Sequence, residues 1–365
     1  MTKYSNTKAT IAIAKASFRS IIRSPSAVVF SLAFPLIFII VFANIGGGAV
    51  KMDVGVAKTS DTSRSDSLYQ RLARIPVIHM VKDQSAAEMA KNLSKGDIDA
   101  VIDVQKSNVA PYYTLHIQYT TASAQKDAVL RSLLNSMFFE INSRGNTVQQ
   151  PIAELKESTV HGREYKYIDF ILPGMLGFSL LSSGVFGTAF VFLSLRLTLV
   201  IKRFFATPVK KYSIVLGEAI ARLVFSWIGA LFIITVGHYY FGFTLVHGFI
   251  TVVNMLILSA IGLIIFLVFL FIISGISKNE STVPPLSNII TLPQFLLSGT
   301  FFATTAFPSW LQVLSNILPL TYLNKAMRDV AFEGAGLGDV THDLLILGIW
   351  FIIVYAVAVK TFKWE

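Results

Sequence analysis

"FITVVNMLILSAIGLIIFLVFLFIIS", Phe249 to Ser274, contains no charged residue. A helix needs about 20 mostly apolar residues to cross the ~30 Å hydrocarbon core of a bilayer, and this run exceeds that. Its apolar residues would cover the whole circumference of a helix, as a membrane span requires and an amphipathic soluble helix does not. Outward from it, five more runs read as spans: Ala27–Ile45, Phe170–Leu195, Ile214–Tyr240, Leu286–Phe302 and Leu344–Val359. Leu286–Phe302 is the weakest, being short and holding Pro293. Spanning helices tolerate proline where neighbouring groups satisfy the freed carbonyl.

The totals agree. The 365 residues are 53% hydrophobic and only 14% charged, against roughly 25% charged in soluble domains. The formal charge of +10 sits beside the apolar runs, where it sets orientation. No recognition motif or basic helix face accompanies it, so no nucleic-acid partner is expected. The absence of cysteine excludes disulfides, thiol catalysis and cysteine metal sites.

Lys3, Lys8, Lys15, Arg19 and Arg23 precede the first span without an acidic residue, which places the N-terminus in the cytoplasm. Six crossings return the C-terminus, with Lys360 and Lys363, to the same side. Segment 196–222 carries Arg196, Lys202, Arg203, Lys210, Lys211 and Arg222 against Glu218 and falls inside; the link 303–343, richer in acids, falls outside. The first apolar run is longer than that of a cleaved signal peptide and is expected to be retained. Residues 9–23, "ATIAIAKASFRSIIR", put Ile11, Ala14, Phe18, Ile21 and Ile22 on one side and Lys15, Arg19 and Arg23 on the other. Two readings stand, an interfacial helix on the inner leaflet and an ordinary basic flank.

Residues 46–168 have soluble composition and are expected to form a small extracytoplasmic α/β domain, joined to the first span through Gly46–Gly48. Strands are predicted at 52–57, 76–81, 97–104 and 114–120, and helices near 64–74, 85–95 and 122–143. Asp97, Asp99 and Asp103 are expected on the solvated face of the third strand, since a calcium loop needs oxygens on a tight turn. His79, His116 and His161 lack metal-ligand spacing, so no metal site is expected. Ser123, Ser132 and Ser136 have no nucleophile-elbow glycines.

The spans hold few ionisable residues: Asp169 at the edge of the second, and Glu218 and Arg222 in the third, four apart and able to pair. A proton- or sodium-driven carrier would want an intramembrane relay, and none is found. In the second span Ser179, Ser182, Ser183 and Thr188 accompany Gly174, Gly177, Gly184 and Gly187. Close helix packing, within the subunit or across a dimer, and substrate contact both fit. The fifth run mixes Thr291, Gln294, Ser298 and Thr300 with Phe295, Phe301 and Phe302, which suits either packing or an amphipathic cargo. No segment matches G-x-x-x-x-G-K-[ST], and "GAGLGD" (334–339) reads as a helix stop followed by a turn. Energy for work on a cargo must come from a partner.

Three stretches resemble the permease subunits of type-2 ABC exporters. "RFFATPVKKYSIVLGE" (203–218) is similar to that family's cytoplasmic segment, with Ala206-Thr207-Pro208-Val209 and Gly217 in the motif positions. "LLSGTFFATTAFPSWLQVLSNILPLTYLNKAMRDV" (296–330) and "DFILPGMLGF" (169–178) resemble its signature region and its approach to the second span. "SLRLTLVIKR" (194–203) lacks the acidic pair that many relatives carry there, and Ala303 and Thr304 stand where a proline is usual.

The resemblance implies a mainly α-helical membrane protein with six transmembrane helices and a small extracytoplasmic α/β domain between helices 1 and 2. The expected division is an interfacial helix at 1–26, the first span at 27–45, the α/β domain at 46–168 and the remaining spans at 169–365. A coupling segment at 196–213 and re-entrant helices at 304–340 belong to the last part. It implies a multi-pass protein of the bacterial inner membrane with both termini cytoplasmic. Its function would be the permease of an ATP-driven exporter moving an amphipathic, drug-like or lipid-like substrate. Partners would be an ABC ATPase subunit, a second permease in a homo- or heterodimer, membrane lipid and a periplasmic adaptor. The chain itself would hold no cofactor and be no enzyme; ATP and Mg would sit on the ATPase. Coupling would fall to Arg203, Phe204, Phe205, Thr207, Pro208, Lys210, Lys211 and Glu218. Ser179, Ser183, Thr291, Gln294, Phe295, Ser298 and Phe301 would line the substrate path, and Trp310, Leu314, Pro319 and Tyr322 the outer gate. The rival reading is a non-transporting membrane protein whose α/β domain binds a ligand or envelope partner.

Overall fold

The computed structural model describes residues 5–45, 52–60, 67–82, 84–143, 152–160, 166–198, 207–277 and 279–362. Gly46–Gly48, His161, Lys202, Arg203, Phe204, Phe205 and the side chain of Thr188 lie outside that description. The chain divides into two units, residues 1–46 with 167–365, and residues 47–166.

Helix α1 (Asn6–Ile22) opens the first unit. Its buried side holds Thr10, Ala14 and Ile21, whereas Ile11 and Ile22 are 61% and 52% exposed. The predicted single apolar side is therefore split, because Ile11 and Ile22 lie three turns apart and about a quarter turn round the helix from the packed stripe. Pro25 supplies a preset first position for α2 (Pro25–Val28), which runs through a π turn at Val29–Ala33 into α3 (Phe34–Ile45). The first predicted span is thus helical but bulged.

The inserted unit carries β1 (Met52–Val56), α4 (Ser67–Ala73), β2 (Ile78–Val81), α5 (Ala86–Lys95), β3 (Ala100–Lys106), β4 (Tyr113–Thr120), α6 (Ala124–Ser143) and β5 (Ala153–Val160). The sheet order is β2-β1-β3-β4-β5. β1 is parallel to both β2 and β3, β3 and β4 are antiparallel, and β4 and β5 are parallel. Ala100, Ile102 and Val104 alternate into a core with Leu115, Ile117, Leu68, Leu72, Leu130 and Leu134, as the period-2 pattern requires. On the other face Met89 and Leu93 of α5 pack on Ile98. A capping box of Ser85 and Glu88 starts α5, and Gly96 ends it at φ 82°.

Two expectations fail here. β5 had no counterpart in the sequence reading. Asp99, expected on a solvated face, is 2% exposed: its carboxylate accepts from the Asp53 N–H at 2.9 Å, Ser123 Oγ at 2.7 Å and Lys126 Nζ at 3.0 Å. It precedes β3 and ties β1 to the start of α6. Nearby, burial pushes the Asp127 carboxyl up to about 7, against the pull of Arg131 and with a further push from Asp99.

The first unit continues with α7 (Tyr167–Leu197), α8 (Lys211–Phe241), α9 (Phe249–Ile276), α10 (Val283–Leu297), α11 (Ser309–Ser315), α12 (Pro319–Arg328) and α13 (Thr341–Thr361). Among the described residues, four helices are long and apolar enough to cross a membrane: α8, α9, α13 and Tyr167–Val185 of α7. The unit is a multi-pass membrane structure with one large apolar core drawn from all its long helices. Its outer surface carries exposed Ile289 and Leu292 on α10 and Ile349 and Ile352 on α13, as lipid contact allows. A Cβ added at Gly184 of α7 would stand 2.7 Å from Phe266 Cβ on α9, so the predicted close approach is real there.

The fifth predicted span, Leu286–Phe302, ends early. α10 stops at Leu297 after 15 residues, about 22 Å of helix, with Pro293 inside it. The chain then turns through Gly299 at φ 72°, a conformation that favours glycine.

Candidate functional site

Among the described residues, the turn after α10 is held by side chains from several helices. A helix C-terminus leaves carbonyls without partners, and here side chains from three other helices take them. Ser315 Oγ on α11 donates to the Leu297 carbonyl at 2.6 Å. Asn324 Nδ2 on α12 donates to the Ser298 carbonyl and to Thr300 Oγ1, both at 3.2 Å. Arg328 on α12 donates through Nη2 to the Gly299 carbonyl and through Nε to the Phe170 carbonyl at 3.0 Å. Tyr167 Oη on α7 donates to the Phe301 carbonyl at 2.7 Å. The Arg328 guanidinium also lies 3.8 Å from the Phe170 ring centroid, within cation–π range. α7 comes close enough only because it is thinned: a Cβ at Gly177 would collide with Asn324 Oδ1 and stand 2.8 Å from Leu320 Cδ1.

The proposed path residues lie around this turn. Thr291, Gln294 and Ser298 share one buried face of α10, at 4%, 2% and 1% exposure. Thr291 Oγ1 donates to the Ser287 carbonyl, Ser298 Oγ meets Thr300 Oγ1 at 3.2 Å, and Gln294 Oε1 is buried without a partner. Phe295 and Phe301 stand at right angles, centroids 4.7 Å apart. They join Phe34, Phe38 and Phe42 of α3 and Phe178 of α7 in one aromatic cluster. Ser179 Oγ donates at 2.7 Å to the Ser31 carbonyl, inside the π turn that loosens the first helix's own ladder. Of the path candidates, Ser179, Phe295 and Phe301 thus meet the Ser31–Phe42 segment of the first span, Thr291, Gln294 and Ser298 lie on the buried face of α10, and Ser183 lies apart from them.

Of the gate candidates, Trp310 and Leu314 lie on the exposed face of α11, at 68% and 46% exposure. Pro319 is buried at the first turn of α12, and Tyr322 Oη donates to the Asn316 carbonyl at 2.6 Å. Gln312 Nε2 on α11 donates to the Phe307 carbonyl at 2.8 Å. Thr321 does not cap α12, because its Oγ1 donates to the Ser315 carbonyl. Gly334 does end the following turn, at φ 74°.

At the other end, Thr207 and Pro208 form an exposed turn, and exposed Lys210 and Lys211 lead into α8. Two turns on, Arg222 Nε donates to Glu218 Oε1 at 2.9 Å and Nη1 to the Ser183 carbonyl of α7 at 3.0 Å. Arg222 and Glu218 are 2% and 5% exposed, so the predicted i,i+4 pair sits in the interior of the unit, and Arg222 also reaches from α8 to α7. Ser183, a path candidate, serves here through its backbone.

Asn324, Arg328 and Arg222 were missed as site residues. The signal was present: a polar side chain on the apolar face of a helix needs a partner there, and Asn324 sits between Leu323 and Met327, both fully buried.

Residues 25–360 match the ABC-2 family transporter protein profile. Over 371 aligned positions the chain is 24% identical to ABC transporter G family member 20 of Dictyostelium discoideum, covering 96% of this chain and 50% of that protein. The chain thus spans half the length of that relative. It is also 24% identical over 229 residues to the inner membrane transport permease YadH of Escherichia coli K12, covering 60% of this chain and 80% of YadH. The chain belongs to the ABC-2 family of transporter proteins, as a transmembrane permease.

Proposed function

We propose that this permease exports an amphipathic, drug-like or lipid-like molecule, driven by a separate ABC ATPase subunit that binds ATP and Mg. The observation that carries this reading is the Arg222 bridge. α8 begins directly after the exposed Thr207–Lys210 turn, and Arg222 fastens it to the Ser183 carbonyl of α7. A push on the turn is delivered along α8 to α7, which contributes Phe178 to the aromatic wall and Tyr167 and Phe170 to the ties around the turn after α10. Coupling is assigned to segment 196–213, with Arg203, Phe204, Phe205, Thr207, Pro208, Lys210 and Lys211 at the ATPase and Glu218 behind them.

The wall's chemistry supports this substrate class: six phenylalanine rings with neutral Ser179, Thr291, Gln294 and Ser298 suit an amphipathic guest. The working unit is a pair of permeases on their ATPases in a bacterial inner membrane, with six crossings, cytoplasmic termini and residues 46–168 outside, where an adaptor would dock. Trp310, Leu314, Pro319 and Tyr322 form its outer gate.

The test is ATP turnover by the cognate ATPase in proteoliposomes, with and without this chain. Wild type is expected to raise turnover. Lys210→Glu with Lys211→Glu is expected to abolish the rise while the chain still reaches the membrane. Unchanged stimulation and assembly in that variant would remove the coupling assignment.

A further inference from the structure

Helix α1 precedes the part of the chain that matches the family and is the segment expected at the inner leaflet. One side of it is committed to α8. A Cβ at Gly217 would stand 2.7 Å from Ile13 Cγ2 and 3.1 Å from the Thr10 carbonyl. Ile21 packs with Ala221 and Phe225, joined by Phe18. α1 is thereby pinned along the first four turns of a helix long enough to cross a membrane.

Among the described residues the other side is exposed. Lys8, Ile11, Lys15, Arg19, Ile22 and Arg23 recur at helical spacing and are all exposed. Among the described residues no carboxylate pairs with any of the four cations, and residues 1–52 contain no acid at all. An unneutralised row of cations interleaved with exposed isoleucines matches one surface chemically: anionic headgroups above hydrocarbon. An acidic protein face would answer the cations and leave Ile11 and Ile22 in water.

The neighbouring surface of α8 decides between the two. Residues 216, 220 and 224 lie one position back from the Gly217–Ala221–Phe225 stripe that receives α1. They are Leu216, Ile220 and Val224, exposed at 49%, 42% and 40%. An apolar strip that continues down a span is a lipid-facing surface, so α1 borders hydrocarbon at the level where the span begins. We propose that the outward face of α1 is a binding surface for anionic phospholipid, with Lys8, Lys15, Arg19 and Arg23 taking the phosphates and Ile11 and Ile22 entering the acyl boundary.

The full chain, purified from mixed phosphatidylcholine and phosphatidylglycerol vesicles, tests this by quantitative analysis of retained lipid. Wild type is expected to retain phosphatidylglycerol at about threefold or more over its bulk fraction, since each cation near an anionic surface favours it severalfold. A variant with Lys8→Gln, Lys15→Gln, Arg19→Gln and Arg23→Gln is expected to retain lipid in the bulk ratio. A control with Lys58→Gln, Arg74→Gln, Lys91→Gln and Lys106→Gln, the same charge removed from residues 47–166, is expected to keep the enrichment. Because the chain has no cysteine, Ala16→Cys, at an exposed position of α1, places a single fluorophore there without touching the cations. Headgroup spin-labelled phosphatidylglycerol should quench it more strongly than the labelled phosphatidylcholine. Equal quenching by the two lipids overturns the proposal even if the quadruple variant fails to fold. So does unchanged enrichment in that variant together with lost ATPase co-purification, which would assign the face to a protein.

Discussion

Replacing Arg222 by methionine keeps most of the side chain's length and removes its charge. In the wild type the charge-assisted hydrogen bonds of Arg222 include those to Glu218 at 2.9 Å and to the Ser183 carbonyl at 3.0 Å. Hydrogen bonds to charged groups contribute about 1.5–3 kcal/mol each, and stripping one partner from a buried pair costs about 3–5 kcal/mol because the other charge is left behind. Arg222→Met is therefore expected to destabilise the chain by about 4 kcal/mol, and Glu218→Gln by about 3 kcal/mol. The double variant removes both charges and is expected to cost only about 1 kcal/mol, so the cycle returns a coupling of several kcal/mol. The assay is equilibrium unfolding of the full chain by SDS titration in one fixed detergent, followed by tryptophan emission. A loss below about 0.5 kcal/mol for Arg222→Met, the scale of an exposed i,i+4 pair, would refute the reasoning. A double variant as unstable as the sum of the singles would refute it equally.

Gly177→Val forces a side chain against Asn324 Oδ1 and Leu320 and should cost about 1–3 kcal/mol, measured by the same titration. Arg328→Lys keeps the charge but cannot hold the Gly299 and Phe170 carbonyls and stack on Phe170 together. It should cost about 2 kcal/mol and raise hydrogen exchange at residues 298–302. For Asp127 the folded state raises the carboxyl from its ordinary value near 3.8 to about 7. The fold therefore favours the protonated acid, and that contribution is present below about pH 4 and lost as pH rises through 7. Asp127→Asn should stabilise residues 52–160 by about 1 kcal/mol at pH 8, after allowing for solvent screening. It should leave them unchanged at pH 4, as read by hydrogen exchange along α6.

The membrane helices were legible because hydrocarbon demands long uncharged runs, and α8 and α9 fall close to their predicted bounds. The end of α10 was not. Leu296–Phe302 is as apolar as what precedes it, and only Gly299 hinted at a stop, whereas Pro293, the obvious breaker, lies inside the helix. What ends α10 is the set of donors waiting for its carbonyls, and Arg328 reaches Phe170 across 158 positions of sequence. β5 was missed because an edge strand open to water has no need of an apolar alternation; Ala153 is its one buried residue. Asp99 looked solvated because its partners, Asp53, Ser123 and Lys126, come from three separate elements. In the site, Phe295 and Phe301 could be picked out by composition beside polar residues, while their partners Phe34, Phe38, Phe42 and Phe178 resembled any span interior.

The central claim, that ATP-driven force enters at the Thr207–Lys210 turn, is tested most directly by contact. Thr207→Cys in this cysteine-free chain carries a short photoactivatable cross-linker in proteoliposomes that hydrolyse ATP. One major cross-linked product is expected, to the ATPase subunit, with a yield that changes between the ATP-bound and nucleotide-free complexes. A label that reacts only with lipid, in vesicles where this chain still stimulates ATP turnover, would contradict it.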